Sequence, residues 1–468
     1  MDCDVAVLGG GPGGYTAAIR AAQLGARVVC VEREPDLGGT CLRVGCIPTK
    51  AWVQTAHALH DARDTFAQLG AVVGEPRLDF GAAQEWKTRV VEQMTGGVAQ
   101  LFKANGVEWV QGTGRFSGPT TLAVEGGEEV TFRSAIVATG SYPIRPPIPG
   151  LDSPRCVDST GLLAQSEVPR RLVVLGGGII GCEFASILER FGSEVTIVEM
   201  LPTLIPQEDE DAAKELAKAF SRRGITLHLA KQCTRVDDHG SHLVAHFGEG
   251  ETVEADLMLV SVGRAALVDG IGLEALGVEF DRSGIRTDDH RRTNVPHVYA
   301  IGDCAGYWQL AHTAFREGEV AAENACGHEA VIGDPAVPRP IYTDPEIAGV
   351  GLTESQARER YGEDEIAVGR APWVAIARAV MSGDTTGWVK TIHERRYGEL
   401  LGVVIVGPHA TDLIEAAVVA LDAEATVETV ADGIAPHPTF SEALKEAGLV
   451  ALERAIHLPP RRRARAAA

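Results

Sequence analysis

VAVLGGGPGGYTAAIRAAQLGARVVCVE, residues 5–32, decides the fold. Residues 5–8 are a short, continuous apolar run, as a strand buried on both faces of a parallel sheet would be. Gly9, Gly11 and Gly14 then fit G-x-G-x-x-G. An alanine-rich helical pattern over 15–24 follows, Gly25 stops it, and a second strand over 27–31 ends at Glu32. Each part has a physical use. Gly9 permits a tight turn, Gly11 lets the backbone approach a pyrophosphate, and Gly14 lets the helix lie close to the strand. The helix N-terminus faces the anion, and Glu32 accepts from ribose hydroxyls. A glycine triplet alone is weak, because glycine loops also serve as plain turns. The order strand, loop, helix, strand, acid predicts a dinucleotide-binding unit.

LVVLGGGIIGCEFASILERFGSEVTIVE, residues 172–199, repeats the pattern with Gly176, Gly178, Gly181 and Glu199. The first glycine and the acid are 23 residues apart in both copies, Gly9 to Glu32 and Gly176 to Glu199. Two full copies predict two bound dinucleotides with a hydride passing between them; the alternative is one working unit and one degenerate copy. A carboxylate at position 199 favours a free ribose 2′-hydroxyl, hence NAD over NADP, for which an arginine would be expected.

GGTCLRVGCIPTK, residues 38–50, sets Cys41 and Cys46 five residues apart across Gly45. Pro48 suits the first turn of a helix, predicted over 49–60. A thiol at a helix N-terminus is favoured as thiolate, so the pair suits reversible disulfide chemistry. A metal site would need two further soft ligands nearby, and none is there; the remaining alternative is two buried cysteines in a glycine loop. The other seven cysteines (Cys3, Cys30, Cys156, Cys182, Cys233, Cys304, Cys326) stand apart and read as small hydrophobes.

The chain has 468 residues, about three domains at ~150 each. It is 45% hydrophobic and 23% charged, which excludes a disordered chain. Its net charge of −21 argues against nucleic-acid binding. No apolar run is long enough to predict membrane insertion. A basic cluster at Arg461, Arg462, Arg463 and Arg465 reads as a solvated end. An odd cysteine count, and a strand that begins almost at once with no basic leader, predict a cytoplasmic protein.

The cysteine segment is similar to the redox-disulfide signature of the class I pyridine nucleotide-disulfide oxidoreductases. Both glycine units look like those of its dihydrolipoamide-oxidising branch in particular. The resemblance continues through ATGS (138–141), AIGD (300–303), LAH (310–312), IYTDPE (341–346) and HPTFSE (437–442). It implies an α/β fold with two Rossmann-like dinucleotide-binding domains and a C-terminal α+β dimerisation domain. The boundaries expected are 1–150 for the first part of the FAD domain, 151–268 for the NAD domain, 269–337 for a return to the FAD and central region, and 338–468 for dimerisation. Proline-rich stretches at 143–150 and 335–340 mark two of these junctions.

The resemblance also implies roles. FAD would lie on Gly9, Gly11, Gly14 and Glu32, with Gly114 near its adenine. Thr139, Gly140 and Ser141 would lie beside the flavin nucleotide, Asp303 at the ribityl or pyrophosphate portion, and Ala311 and His312 at the ring. Lys50 would sit near flavin N5, paired with Glu183; an ordinary surface ion pair is the bland alternative. NAD would lie on Gly176, Gly178, Gly181 and Glu199, with Gly263 at the nicotinamide end. His437 and Glu442 would be the base and its orienting carboxylate. Read from the residues alone, His437 could be an exposed loop histidine and Glu442 part of a helix capping box. No metal is expected.

The implied activity is electron transfer from protein-bound dihydrolipoamide through Cys41–Cys46 and FAD to NAD⁺. The partners would be a second copy of the chain and the lipoyl domain of a 2-oxo acid dehydrogenase or related complex. Alternatives are an NADH-dependent reductase of another disulfide or of a quinone, or a non-catalytic flavin-binding protein. Arg43 stands where many relatives have asparagine, and Ala435-Pro436 where His-Ala is common; both positions are expected at the mouth of the disulfide.

Overall fold

The structure, a computed structural model, describes residues 1–333 and 336–459. The basic cluster at 461–465 and the first residue of the second proline-rich stretch lie outside the described residues. Strand Val5–Leu8 is the centre of a five-stranded parallel sheet, ordered Val298–Ala300, Ser134–Val137, Val5–Leu8, Val28–Glu32, Glu108–Gln111. Strand Arg171–Leu175 is the centre of a second, ordered Thr226–His228, Glu194–Val198, Arg171–Leu175, Leu257–Val260, Cys156–Val157. The two central strands are buried almost throughout because helices or a second sheet cover both faces. A three-stranded antiparallel sheet accompanies each: Gly114–Gly118, Thr121–Val124 and Val130–Thr131 in the first case, Cys233–Asp238, Leu243–Phe247 and Glu251–Ala255 in the second. Val298–Ala300 brings the chain back to the first sheet after the second is complete. Strands Ser141–Pro143 and Arg264–Ala266 pair antiparallel where the chain crosses between the two.

The C-terminal region is a five-stranded antiparallel sheet, ordered Arg339–Ile341, Ile347–Gly351, Leu400–Val406, Trp388–Glu394, Ile366–Pro372. Its alternation divides the molecule's interior. Val403 and Ile405 face helices Ala410–Asp422 and Glu442–Ala451, where Ile414, Ala417, Ala443 and Ala447 meet them. Val404 and Val406 face the other way, into a core shared with Phe184, Ile187, Leu188 and Phe191 of helix Ile179–Phe191 and with Trp52, Val53 and Ala56 of helix Cys46–His60. One apolar core therefore joins the cysteine helix, the second dinucleotide unit and the C-terminal sheet.

The architecture is the expected α/β arrangement, with differences at element ends. The first helix runs Pro12–Gln23, starting before residue 15, because Pro12 fits the first helical turn and Gly13 and Gly14 continue it. The cysteines do not lie on a loop leading to a helix. Cys41 is inside a short helix, Gly39–Val44, and Cys46 opens the next, Cys46–His60. Gly45 is the joint; a Cβ there would lie 2.8 Å from the Thr40 carbonyl oxygen. Among the described residues no helix is long and apolar enough to cross a membrane.

Candidate active site

A cavity of about 2500 Å³ runs between the three sheets. That is well above the ~300–1,000 Å³ of a single small-ligand pocket and leaves room for two dinucleotides. Both glycine loops open onto it, through Gly9 and Gly11 and through Gly176 and Gly178. Gly14 and Gly181 do not. A Cβ at Gly14 would lie 1.8 Å from the Gly9 carbonyl oxygen, and one at Gly181 would lie 2.1 Å from that of Gly176, so these glycines let helix and loop touch.

The two acids are held alike. Oε2 of Glu32 accepts from the Gly10 N–H at 2.7 Å, and its Oε1 from the Glu34 N–H at 3.0 Å. Oε2 of Glu199 accepts from the Gly177 N–H at 2.5 Å, and its Oε1 from the Leu201 N–H at 2.7 Å. A carboxylate has about four lone-pair sites, so each acid, fixed by its own loop, retains acceptor capacity for ribose hydroxyls. Among the described residues no arginine pairs with Glu199, which lines the cavity.

Cys41 and Cys46 are thiols in this structure, Cys46 more exposed than Cys41, and both line the cavity. Their environments push them apart. The hydrogen bond from Cys41 is the main cause holding the Cys46 thiol below its ordinary value; burial opposes it, and Lys50 adds to it. The same hydrogen bond, with burial, drives Cys41 well above the thiol range. Cys46 also stands at the first position of its helix, where backbone N–H groups lack intrahelical partners. Of the two, Cys46 is the one whose surroundings favour the thiolate form.

Nζ of Lys50, one turn further along that helix, donates to Oε2 of Glu183 at 2.6 Å. The bland surface-pair reading fails, because Glu183 is 4% exposed. Burial weakens the Lys50 ammonium, but Glu183 and then Cys46 and Tyr342 more than restore it, so it is held above the usual lysine value. Asp303 lines the cavity and accepts from the Ser141 hydroxyl. Burial pushes its carboxyl above the usual range despite that bond. Oγ1 of Thr139 donates to the Leu267 carbonyl at 2.6 Å, and the Leu267 N–H donates to the Gly140 carbonyl at 2.9 Å. Ala311 opens helix Ala311–Ala325 toward the cavity, and Nε2 of His312 donates to the Pro338 carbonyl at 2.8 Å. Gly114 and Gly263 also line the cavity. A Cβ at Gly114 would lie 2.6 Å from Leu8 Cδ1.

His437 and Glu442 are not among the residues lining this cavity. They form their own unit. Nδ1 of His437 donates to Oε1 of Glu442 at 2.8 Å, and the Thr439 N–H donates to Oε2 at 2.9 Å. The His437 side chain is 71% exposed. Burial raises the Glu442 carboxyl, but His437 and Thr439 more than offset this and hold it below the usual value. The capping box is only half formed: Ser441 is the N-cap without a side-chain bond, and the Thr439 hydroxyl bonds to the Pro436 carbonyl and to Ser441.

Sequence reasoning missed two side chains. Nε and Nη2 of Arg264 donate to the Ser141 hydroxyl and carbonyl at 2.7 and 2.8 Å, bracing the chain crossing. The ring of Tyr342 lies under Nζ of Lys50, 4.5 Å from its centroid. Arg264 follows Gly263, and Tyr342 stands inside IYTDPE, so position offered a signal that residue type did not. Arg43 pairs with Glu34 at 3.0 Å, a carboxylate just past Glu32, which ties it to the first dinucleotide loop.

Comparison with known proteins agrees with this geometry. Residues 3–318 match the family model of the pyridine nucleotide-disulphide oxidoreductases, and residues 337–448 match that family's dimerisation domain. The chain belongs to this family. It is a disulfide oxidoreductase with FAD and NAD as cofactors, and two loops with matched acids facing one large cavity fit that pair. It is 40% identical to a dihydrolipoyl dehydrogenase of Bacillus subtilis over 97% of this chain and 99% of that one. It is 42% identical to a dihydrolipoyl dehydrogenase of Halobacterium salinarum over 97% of each. Among solved structures, the HOCl-induced flavoprotein disulfide reductase RclA from Escherichia coli superposes with a TM-score of 0.86 at 29% identity, over 95% of this chain and 99% of that one.

Proposed function

We propose that the chain oxidises dihydrolipoamide, presented by the lipoyl domain of a 2-oxo acid dehydrogenase or related complex, with NAD⁺ as acceptor. It works as a homodimer in the cytoplasm. Residues 1–150 and 269–337 hold FAD, 151–268 hold NAD, and 338–468 form the dimer contact. Full-length relatives at 40% and 42% identity bear the dihydrolipoyl dehydrogenase name, which supports the substrate. The observation that carries the mechanism is the placing of the two thiols on the cavity wall, with Cys46 at the first position of its helix and Lys50 one turn further along it.

In the oxidised enzyme Cys41 and Cys46 form a disulfide. His437 of the partner subunit, its Nδ1–H held by Glu442, takes a proton on Nε2 from one substrate thiol. The resulting thiolate attacks Cys41, the S–S bond breaks, and Cys46 leaves as thiolate beside Lys50. The second substrate thiol attacks the substrate sulfur of the mixed disulfide and closes the lipoamide disulfide; its proton passes to Cys41, which leaves as a thiol, and the first proton stays on His437, opposite the Cys46 thiolate. FAD, which the loop at 9–14 and Glu32 would hold, would supply the two-electron redox chemistry that links the Cys41–Cys46 dithiol to NAD⁺ on the loop at 176–181 and so returns the pair to the disulfide. Thr139, Ser141, Asp303 and His312 orient the flavin nucleotide, and Glu32 and Glu199 hold the two riboses.

A mixing experiment tests the shared site. One variant lacks both cysteines and the other is His437→Ala; each homodimer is nearly inactive with lipoamide. Unfolded and refolded together in equal amounts, half of the dimers are mixed, and each holds one complete site. Activity returns to about a quarter of wild type. No recovery means that His437 serves its own chain. Turnover of glutathione disulfide or quinone with NADH, without lipoamide turnover, rejects the substrate.

A further inference from the structure

Three contacts converge where the C-terminal sheet meets the second dinucleotide unit. Glu183 divides its carboxylate between two donors: Oε2 takes the Lys50 ammonium at 2.6 Å, and Oε1 takes the backbone N–H of Tyr342 at 2.9 Å. The Tyr342 ring then covers the Lys50 ammonium, 4.5 Å from Nζ to the ring centroid. Tyr342 directly follows strand Arg339–Ile341, and the two residues after it continue the attachment. The Asp344 N–H donates to the Ser186 hydroxyl at 3.1 Å, and its carboxylate takes Arg190 Nη2 at 2.5 Å. Arg223 donates to the Asp344 carbonyl at 2.7 Å. Glu183, Ser186 and Arg190 are spaced by three and four residues, so they lie along one side of helix Ile179–Phe191. The segment 342–344 is a clamp along that side, and Ile341 anchors it in the core shared by helix and sheet.

We infer that Tyr342 is a positioning residue for the redox centre, its ring and backbone N–H together fixing the Lys50–Glu183 pair against Cys46. The inference rests on the proposed function, in which Cys46 is the thiol released as thiolate beside Lys50 and the flavin. An ammonium on a four-carbon stem has many rotamers, and one carboxylate contact leaves it free to swing about that contact. A π face on a second side removes that freedom and favours the charged form. Glu183, with both oxygens engaged, cannot follow a displaced lysine without giving up the Tyr342 N–H. The charge beside Cys46 is therefore set from the C-terminal domain.

Lys50 follows Cys46 by four residues on one helix, so the two share a face; Cys41 by hydrogen bond, and Glu183 and Arg264 by charge, also act on the Cys46 thiol. Of these, Lys50 is the one Tyr342 covers. Removing the ring loosens Lys50 and raises the pH at which the Cys46 thiolate forms.

The test uses the FAD-loaded enzyme reduced by two electrons, with the long-wavelength thiolate–flavin absorbance followed against pH. In Tyr342→Leu and Tyr342→Met the midpoint of that absorbance rises by about half a pH unit, roughly a 3-fold change in thiolate fraction below the midpoint. Tyr342→Phe keeps the ring and the backbone N–H, and its midpoint stays at the wild-type value. The methionine variant, which fills space flexibly, decides the matter if the leucine variant does not fold. Midpoints unmoved in the leucine and methionine variants overturn the role of Tyr342 and leave the thiol reading intact. An equal rise in Tyr342→Phe assigns the effect to the hydroxyl and also overturns it. A wild-type enzyme without the band overturns both this inference and the reading of Cys46.

Discussion

Six residues after its acid, each dinucleotide unit folds back on its own glycine loop. The Gly38 N–H donates to the Gly10 carbonyl at 2.8 Å, and the Ile205 N–H donates to the Gly177 carbonyl at 2.8 Å. The residue before each packs on the loop's second glycine: a Cβ at Gly10 would lie 2.7 Å from Leu37, and one at Gly177 would lie 2.8 Å from Leu204. There the copies part. In the first, Gly38 (φ 109°) and Gly39 (φ 57°) take left-handed conformations. A Cβ on Gly39 would come within 2.6 Å of Gly11 Cα, so this close crossing excludes a side chain. The crossing starts the helix that carries Cys41. In the second, the buried, β-branched Ile205 takes φ 41°, a conformation costly for its type. The chain then runs to Glu208 and Asp209. Nε of Arg339 donates to Oε1 of Glu208 at 3.0 Å, and Nζ of Lys390 donates to Asp209, Asp211 and Glu354 at 2.9, 2.8 and 3.0 Å. One scaffold thus supports two outcomes: after the shared turn, the first copy delivers thiols to the cavity and the second fastens a domain.

The largest effect separates the chemistry of the first copy from the anchorage of the second. Cys46→Ser lowers lipoamide-dependent turnover by about 10³-fold or more, because no disulfide can form. It also abolishes the long-wavelength band, whereas Cys41→Ser leaves a permanent Cys46 thiolate and a permanent band. Spectra of the two variants check this, and a band surviving in Cys46→Ser reverses the assignment of the thiols.

Breaking the anchorage moves stability rather than colour. Lys390→Met leaves Asp209 buried without its cation and costs about 3 kcal/mol, read by denaturant unfolding at pH 7. The pH dependence has two limbs. Burial alone would weaken Lys390, but its three carboxylates hold it above the usual value. Its contribution is therefore full below the ordinary lysine pKa and is lost as pH rises through the higher folded value. Asp211 and Glu354 are raised by burial but lowered further by Lys390. Their contribution is present above the ordinary carboxylate pKa of about 4 and is lost as pH falls through the lower folded values. The gap between wild type and Lys390→Met therefore narrows in acid. A constant gap from pH 7 to pH 3 contradicts the ion-pair account.

The smallest effect sharpens the likeness of the two acids. Glu199 keeps capacity for ribose hydroxyls and repels a 2′-phosphate, so NADH exceeds NADPH by about 10-fold in kcat/KM, the ~1.4 kcal/mol of a lost contact with added repulsion. Glu199→Arg narrows or inverts the preference. Equal use of both nucleotides by the wild type refutes it.

Much of this was legible because it is local. Gly9, Gly14, Gly176 and Gly181 stand where a Cβ would strike backbone within the same strand–loop–helix unit or the strand beside it, and a glycine pattern of fixed spacing reports that constraint directly. The Cys41–Cys46 spacing likewise announces a thiol pair. The six-residue helix Gly39–Val44 was not legible, since a segment so short has no periodicity to read. Neither was the half-formed capping box: HPTFSE reads equally as a cap or a catalytic pair, and only the bond from His437 to Glu442 shows that the carboxylate holds the imidazole.

By itself the sequence determined the two dinucleotide units, their acids and the thiol pair, because each is written in the residues of one continuous segment. Tertiary structure alone decided that Lys390 meets Asp209, 181 residues away; the Lys50–Glu183 pair, 133 residues apart, was expected only from the family resemblance. Tyr342 reaches Lys50 only because one apolar core ties the C-terminal sheet to helix Ile179–Phe191. The physical reason is dielectric. A lysine or glutamate in a sequence reads as solvated surface, and it acquires a specific partner and a shifted ionisation only when folding buries it beside that partner.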